Sequence, residues 1–317
     1  MLRSCPERIP FGRWWARDGS PVATVGKSAY PCPVSLYRMD GPIDLVEPTV
    51  VAAFDGWIDA GTAATTAADL LATGGALVAT FDGDTLYDYR ARRPTLQIVD
   101  GRLAELTWPA LTLRRARIDE RDLLVLSGAE PDFHWQELAD AVVELMGRLG
   151  VVEFISLGAI PAAVPHTRDV PVMGTASETG VLHADVKRGP MGVMRVPSAA
   201  LSVIDMSLAT AGLPTVGYFG QIPHYVSGPY PAASLELLRV LGLHLGVELP
   251  QGLLQAEARQ VRTRLNAAVQ ADETTREYVE RLESMVDESR LPSGDDLISD
   301  IERFLRERGS TEGGLLN

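Results

Sequence analysis

Cysteine is nearly absent from this chain. Cys5 and Cys32 both lie in the first 33 residues, outside any periodic segment, so neither a disulfide framework nor a thiolate metal site is indicated, and a reducing cytoplasm fits best. Cations are in deficit, with 29 Lys and Arg against 42 Asp and Glu for a formal charge of −13. No stretch gathers them into a stripe that could track phosphates, which argues against nucleic acid as a partner. An uninterrupted apolar run of about 18 residues is missing too: Arg195, Pro197 and Asp205 break the longest candidate region, so no membrane span is expected. The sequence also lacks Gly-x-x-x-x-Gly-Lys-Ser/Thr, Gly-x-Gly-x-x-Gly and Gly-x-Ser-x-Gly, so no phosphate cradle of the usual kind and no serine elbow is indicated. No two histidines have the i, i+4 spacing of a helical zinc motif; neither a metal nor a cofactor is expected.

What is present is enough apolar sequence for a sizeable core. The 317 residues are 46% hydrophobic, which suits one large α/β domain or two smaller ones. Residues 1–33 scatter charge and proline and contain no apolar export region. They read as a loose extension, with docking of Trp14 and Trp15 on the body as the alternative.

From residue 49 short β-rich runs alternate with helical periods. "TVVAAF" and "ALVATF" read as strands around a helix over residues 59–73. "PTLQIVDGRLAELTWP" places Asp100-Gly101 between two extended runs, a strong hairpin signal. "DLLVLSG", "VVEFISLGAI" and "PTVGYF" read as buried strands, with helices over 134–149, from Pro197 to Gly212 and over 231–246. Apolar strands separated by helices argue for an α/β fold with a mainly parallel sheet covered on both faces. This core spans 34–249. A helical appendage follows over 250–308, with Leu254, Ala258, Val261, Leu265 and Ala268 on one stripe, and a polar tail closes the chain at 309–317.

Four strand ends hold the unusual residues, and in a parallel sheet they share the carboxyl edge. After the first, "FDGWIDAG" supplies Asp59, placed to cap the next helix, and Asp55, which serves either the turn or a function. After the second, "GAEPDFHW" contains Asp132, a candidate cap, Glu130, either a solvated acid or a functional one, and Trp135, read as core. The third leads into a long Pro-rich loop with His166, Thr167 and Arg168, the best functional loop in the chain. The fourth carries His224 and Tyr225. Asp55, Glu130, His166 and His224 are the acid–base candidates, and Asp59, Trp135, Thr167, Arg168 and Tyr225 the candidates for holding a ligand.

In order, "VVAAFDGWIDAGTAA", "LVLSGAEPDFHW", "ISLGAIPAAVPHTR" with "PVMGTAS", "PTVGYFGQIPHYV" with "YPAASLELL", and "LPSGDDLISDIERFLRE" resemble the proteasome assembly chaperone 2 family in its actinobacterial branch. The resemblance implies a three-layer α/β/α sandwich similar to nucleoside phosphorylases, self-association with a trimer favoured, a proteasome-related protein partner, and no established catalytic residues. Some members resemble chaperones that dock through a C-terminal hydrophobic-Tyr-any tail; Leu315-Leu316-Asn317 has leucine in the tyrosine position. Two functions are in view. The first is a cytoplasmic protein-interaction module without catalysis. The rival is a nucleoside phosphorylase- or hydrolase-like enzyme acting on a small polar or nucleoside-like ligand at the carboxyl edge. They differ in whether the candidate side chains converge on one pocket.

Overall fold

A computed structural model describes residues 35–118, 121–190 and 192–290. The expected extension over 1–33, the final helix from Gly294 to Arg308 and the polar tail lie outside the described residues.

The centre of the main sheet is built from β2 (Thr49–Phe54), β7 (Arg121–Gly128), β8 (Glu153–Ala162) and β11 (Thr215–Pro223), in the order β7-β2-β8-β11 and all parallel. Their near-continuous apolar sequence follows from burial on both faces; Val50, Val51, Ala52 and Ala53 are fully buried. Shorter or more polar strands flank this centre. β6 (Leu111–Ile118), β3 (Ala76–Phe81) and β1 (Tyr37–Met39) extend it antiparallel on one side. β9 (Val172–Ala176) and β10 (Lys187–Arg188) continue it beyond β11, within the stretch expected to be loop. The sheet is therefore mostly parallel at its core, with antiparallel margins.

Helices cover both faces. On one, α1 (Ala63–Ala72) and α5 (Pro231–Leu245) pack through Ala64, Ala67, Leu71, Leu237 and Leu241. On the other, α3 (Trp135–Leu149) and α4 (Ala200–Thr210) pack through Leu138, Val142, Leu145, Ile204 and Leu208, beside the short α2 (Gly83–Leu86). These are the three layers of an α/β/α sandwich, and amphipathic helices leave few other arrangements once both sheet faces are apolar. α6 (Leu254–Ala271) and α7 (Glu273–Arg290) form the C-terminal helical region outside α5. They bury few side chains, among them Leu254, Val269, Val279 and Leu282.

The Asp-Gly hairpin is a separate two-stranded sheet of β4 (Thr95–Val99) and β5 (Arg102–Thr107). Asp100 and Gly101 both take positive φ, 49° and 75°, the pairing that a two-residue turn matched to strand twist requires. The helix after β2 begins later than its sequence suggests. Residues 60–62 form a 3-10 turn in which Gly61 and Thr62 have φ of 60° and 50°, so regular α geometry starts only at Ala63.

Candidate functional site

β2 lies between β7 and β8 in the sheet, and in open α/β sheets a ligand crevice lies beyond the carboxyl end of such a strand. Here the turn itself occupies that space. β2 pairs with β8 only from Thr49 to Ala52, and then Ile58 and Asp59 cross over: Ala159 N donates to Ile58 O at 2.6 Å, and Asp59 bridges Ala159. Gly61 packs so closely that an added Cβ would lie 2.9 Å from Tyr230 Cβ, and Tyr230 N donates to Gly61 O at 2.9 Å.

Asp59 performs the expected capping. Its Oδ1 accepts from Ala64 N at 2.8 Å and Thr65 N at 3.3 Å, and its Oδ2 from the Thr65 hydroxyl. The carboxylate stands at the positive end of α1 where a phosphate would otherwise sit. Burial pushes its pKa up, opposed by those hydrogen bonds.

Asp55 and Glu130 share one network. Asp55 Oδ1 accepts from Arg92 Nη1 at 2.7 Å and from Glu130 N at 2.9 Å, while Arg92 Nε reaches Asp132 Oδ1 at 3.4 Å. Asp132, the candidate cap of α3, instead accepts from Asp88 N at 2.9 Å, and the residue before α3 is His134, in the left-handed region at φ 59°. Glu130 has a task invisible in local sequence: its Oε1 accepts from Ala200 N at 2.9 Å, capping α4 from 70 residues away, and its Oε2 accepts from Trp57 N at 3.4 Å. A helix cap contributes about 1 kcal/mol. Trp135 packs against the core and donates Nε1–H to Pro131 O at 2.6 Å.

His166 and His224 belong to a second network, formed where α6 and α7 lie over the carboxyl-edge loops. Tyr225 OH accepts from the His166 backbone N–H at 2.8 Å and lies 2.8 Å from the ring Nδ1. His166 Nε2 lies 3.0 Å from Asn266 Oδ1, an acceptor, so Nε2 carries a hydrogen and donates it. Desolvation pushes the imidazole pKa down. His224 is occupied likewise, with Nδ1 3.1 Å from Ala162 O and Nε2 3.2 Å from Tyr278 OH. Thr167 donates its hydroxyl to Glu283, and Arg168 pairs with Asp287 at 2.7 Å and Glu283 at 3.3 Å. Arg262 closes the set by donating to Thr167 O at 2.7 Å.

Sequence reasoning found the loop half of this latch and missed the helical half. The signal was a polar stripe beside the apolar one: Arg262 and Asn266 are four apart on α6, as are Glu283 and Asp287 on α7. Exchanging Arg168 for glutamate should place like charges against Glu283 and Asp287. Hydrogen exchange over residues 254–290 is then expected to speed several-fold while β2, β7 and β8 stay protected; unchanged exchange would show that Arg168 does not hold these helices.

The nine candidates thus fall into a cap, a core contact and two hydrogen-bonded networks. Among the described residues no group of three or more His, Cys, Asp or Glu is arranged to hold a metal ion, and no helix is long and apolar enough to cross a membrane.

The PAC2 family profile matches residues 53–269. The chain belongs to the PAC2 family. Among solved structures, a protein of unknown function from Corynebacterium glutamicum is 32% identical, with a TM-score of 0.75 over 80% of this chain and 97% of that one. A Mycobacterium tuberculosis proteasome-assembly chaperone homologue is 34% identical, with a TM-score of 0.67 over 73% and 99% of the two chains. The archaeal proteasome activator of Pyrococcus furiosus shares the fold at 15% identity and a TM-score of 0.59, covering 73% and 97%. Among curated proteins there is no match. The PAC2 core extends past α5 and includes most of α6, so part of the latch lies inside the matched region.

Proposed function

We propose that this PAC2 protein is a non-catalytic, cytoplasmic protein-interaction module that self-associates, with a trimer favoured, and acts on a proteasome-related protein partner. The observation that carries the reading is the engagement of the acid–base candidates. Both ring nitrogens of His166 and of His224 have partners, Asp59 and Glu130 cap helices, and Asp55 holds Arg92. A general base must be presented where it can reach its substrate proton, and here each of these groups is engaged by another part of the chain, which supports the non-catalytic reading. The name of the M. tuberculosis relative, a proteasome-assembly chaperone homologue, supports the choice of partner class.

The test has two arms. Purified full chain should retain proteasome core subunits from its own source in a pull-down read by native mass spectrometry. A thermal-shift panel of nucleosides, nucleotides and phosphate should leave it unmoved, although a ligand at 100 times its dissociation constant would stabilise by about 2.7 kcal/mol. A nucleoside shift abolished by both His166→Ala and Asp55→Ala, with no subunit retained, would overturn the reading in favour of the enzyme.

A further inference from the structure

The chain's own turn fills the carboxyl edge of the sheet, but an opening remains at the amino edge. β2, β7 and β8 begin at Thr49, Arg121 and Glu153, and these three first residues line a cavity of about 390 Å³, toward the small end of the ~300–1,000 Å³ that ligand pockets occupy. Thr49 pairs with Leu123 on one side and Glu153 on the other. The three side chains therefore share a sheet face, and Arg121, two residues before Leu123, shares it too. Ile118, Leu123, Val152, Leu245 and Val247 supply an aliphatic wall, and none of the described lining residues is aromatic.

Glu153 is held in place from behind. His244 Nε2, in the last turn of α5, lies 2.9 Å from Glu153 Oε1, and the hydroxyl of the fully buried Tyr218 lies 2.7 Å from His244 Nδ1. That contact fixes one carboxylate oxygen and leaves Oε2 without a partner among the described residues. The Arg121 guanidinium and the Thr49 hydroxyl have no partner among the described residues either. Asp122, by contrast, is neutralised by Arg115, whose Nε donates to its Oδ1 at 2.8 Å. The cavity thus keeps an available carboxylate and an available guanidinium, about 12 Å apart at Cα from two strand spacings of ~4.8 Å and two residue rises of ~3.3 Å.

From this juxtaposition we propose that the amino-edge cavity binds a free aliphatic α-amino acid, its ammonium on Glu153 and its carboxylate on Arg121. The site is separate from the protein interaction proposed above and does not depend on it. An ammonium has three N–H donors, and Glu153, Glu47 and the Thr49 hydroxyl are the acceptors on the cavity wall. A guanidinium grips a carboxylate through two parallel hydrogen bonds. The aliphatic wall suits a branched side chain such as that of leucine, with a few polar groups fixing its orientation. A lone cation or a lone anion would leave one of the two charged side chains unmatched, and desolvating an unmatched charge opposes binding.

The experiment is isothermal titration of the purified full chain with L-leucine, with L-leucinamide, which lacks the carboxylate, and with N-acetyl-L-leucine, which lacks the ammonium, beside the variants R121A and E153Q. The E153Q amide can still accept from His244 and Arg121 is exposed, so both variants should fold, which circular dichroism checks. Leucine should bind one site with a dissociation constant in the micromolar range and each blocked analogue at least tenfold more weakly. Each variant should lose at least tenfold in leucine affinity. Absence of binding by leucine, isoleucine and valine up to about 10 mM would overturn the site. Either blocked analogue binding as tightly as leucine would overturn the zwitterion and assign the cavity to a single terminus of a peptide. Leucine affinity unchanged in either variant would overturn the assigned contacts.

Discussion

Gly128→Ala is expected to destabilise the protein by about 3–5 kcal/mol, measured by chemical denaturation. Gly128 ends β7 with φ of +147°, and a Cβ there would lie 1.9 Å from Ala110 O and 3.0 Å from Leu111 Cα. Both obstacles are backbone, so no rotamer relieves them. Two neighbouring contacts would move with it: Asp55 N donates to Gly128 O at 3.0 Å, and Ala129 N to Ala110 O at 3.1 Å. Glu130 lies two residues beyond Gly128, so a displaced strand end also withdraws the cap from α4 and loosens the Asp55–Arg92 pair. Gly147 is the matched control. It lies inside α3 with nothing within 4 Å of an added Cβ, and Gly147→Ala should be neutral or stabilise by up to about 1 kcal/mol through helix propensity. A loss below about 1 kcal/mol at Gly128 would contradict this approach of β6 to the end of β7.

The contrast between Gly128 and its neighbours shows what could be read from sequence. β2, β7, β8 and β11 were legible because burial on both faces demands unbroken apolar runs, and the β4–β5 turn was legible because Asp-Gly favours positive φ at two successive positions. β6 was missed. Its "LTLRRARI" carries arginines at positions a buried strand would fill with aliphatics, and the structure accommodates Arg115 by pairing it with Asp122, and Arg114 by donation to Gly75 O at 3.2 Å. In the site, Asp59 was readable because a cap and its helix are adjacent in sequence. Glu130 was not, because the helix it caps begins 70 residues later. The latch was half readable for the same reason: His166 stands out in a proline-rich loop, whereas Asn266 becomes its partner only once α6 is folded over the sheet edge. Local chemistry predicts local partners, and side chains recruited across the tertiary structure leave only a faint stripe.

Asp205→Asn is expected to stabilise the protein by on the order of 2–4 kcal/mol at pH 8 and to make little difference near pH 4. Asp205 lies on α4 and its carboxyl accepts from the fully buried Ser156 hydroxyl on β8 at 2.5 Å. Burial pushes its pKa up to about 7 from 3.8, only partly offset by that hydrogen bond. The sign follows from proton counting. The folded state holds a proton that the unfolded state releases near 3.8, so this group's contribution is fully present below 3.8 and is lost as pH rises through about 7. Asparagine keeps the shape, can accept from Ser156 through its Oδ1, and never ionises. Denaturation at pH 4, 6 and 8 should show the stability difference between the variant and wild type growing with pH. A pH-independent difference would remove ionisation of Asp205 as the cause. The consequence reaches the site, since α4 is held at its N-terminus by Glu130 and along its length by the Ser156–Asp205 contact. Ionising Asp205 strengthens its hydrogen bond to Ser156 but leaves a charge in a desolvated site, and the strain of that charge falls on the helix around it, so the stretch of α4 about Asp205 should lose amide protection at pH 8 relative to the end beside Glu130.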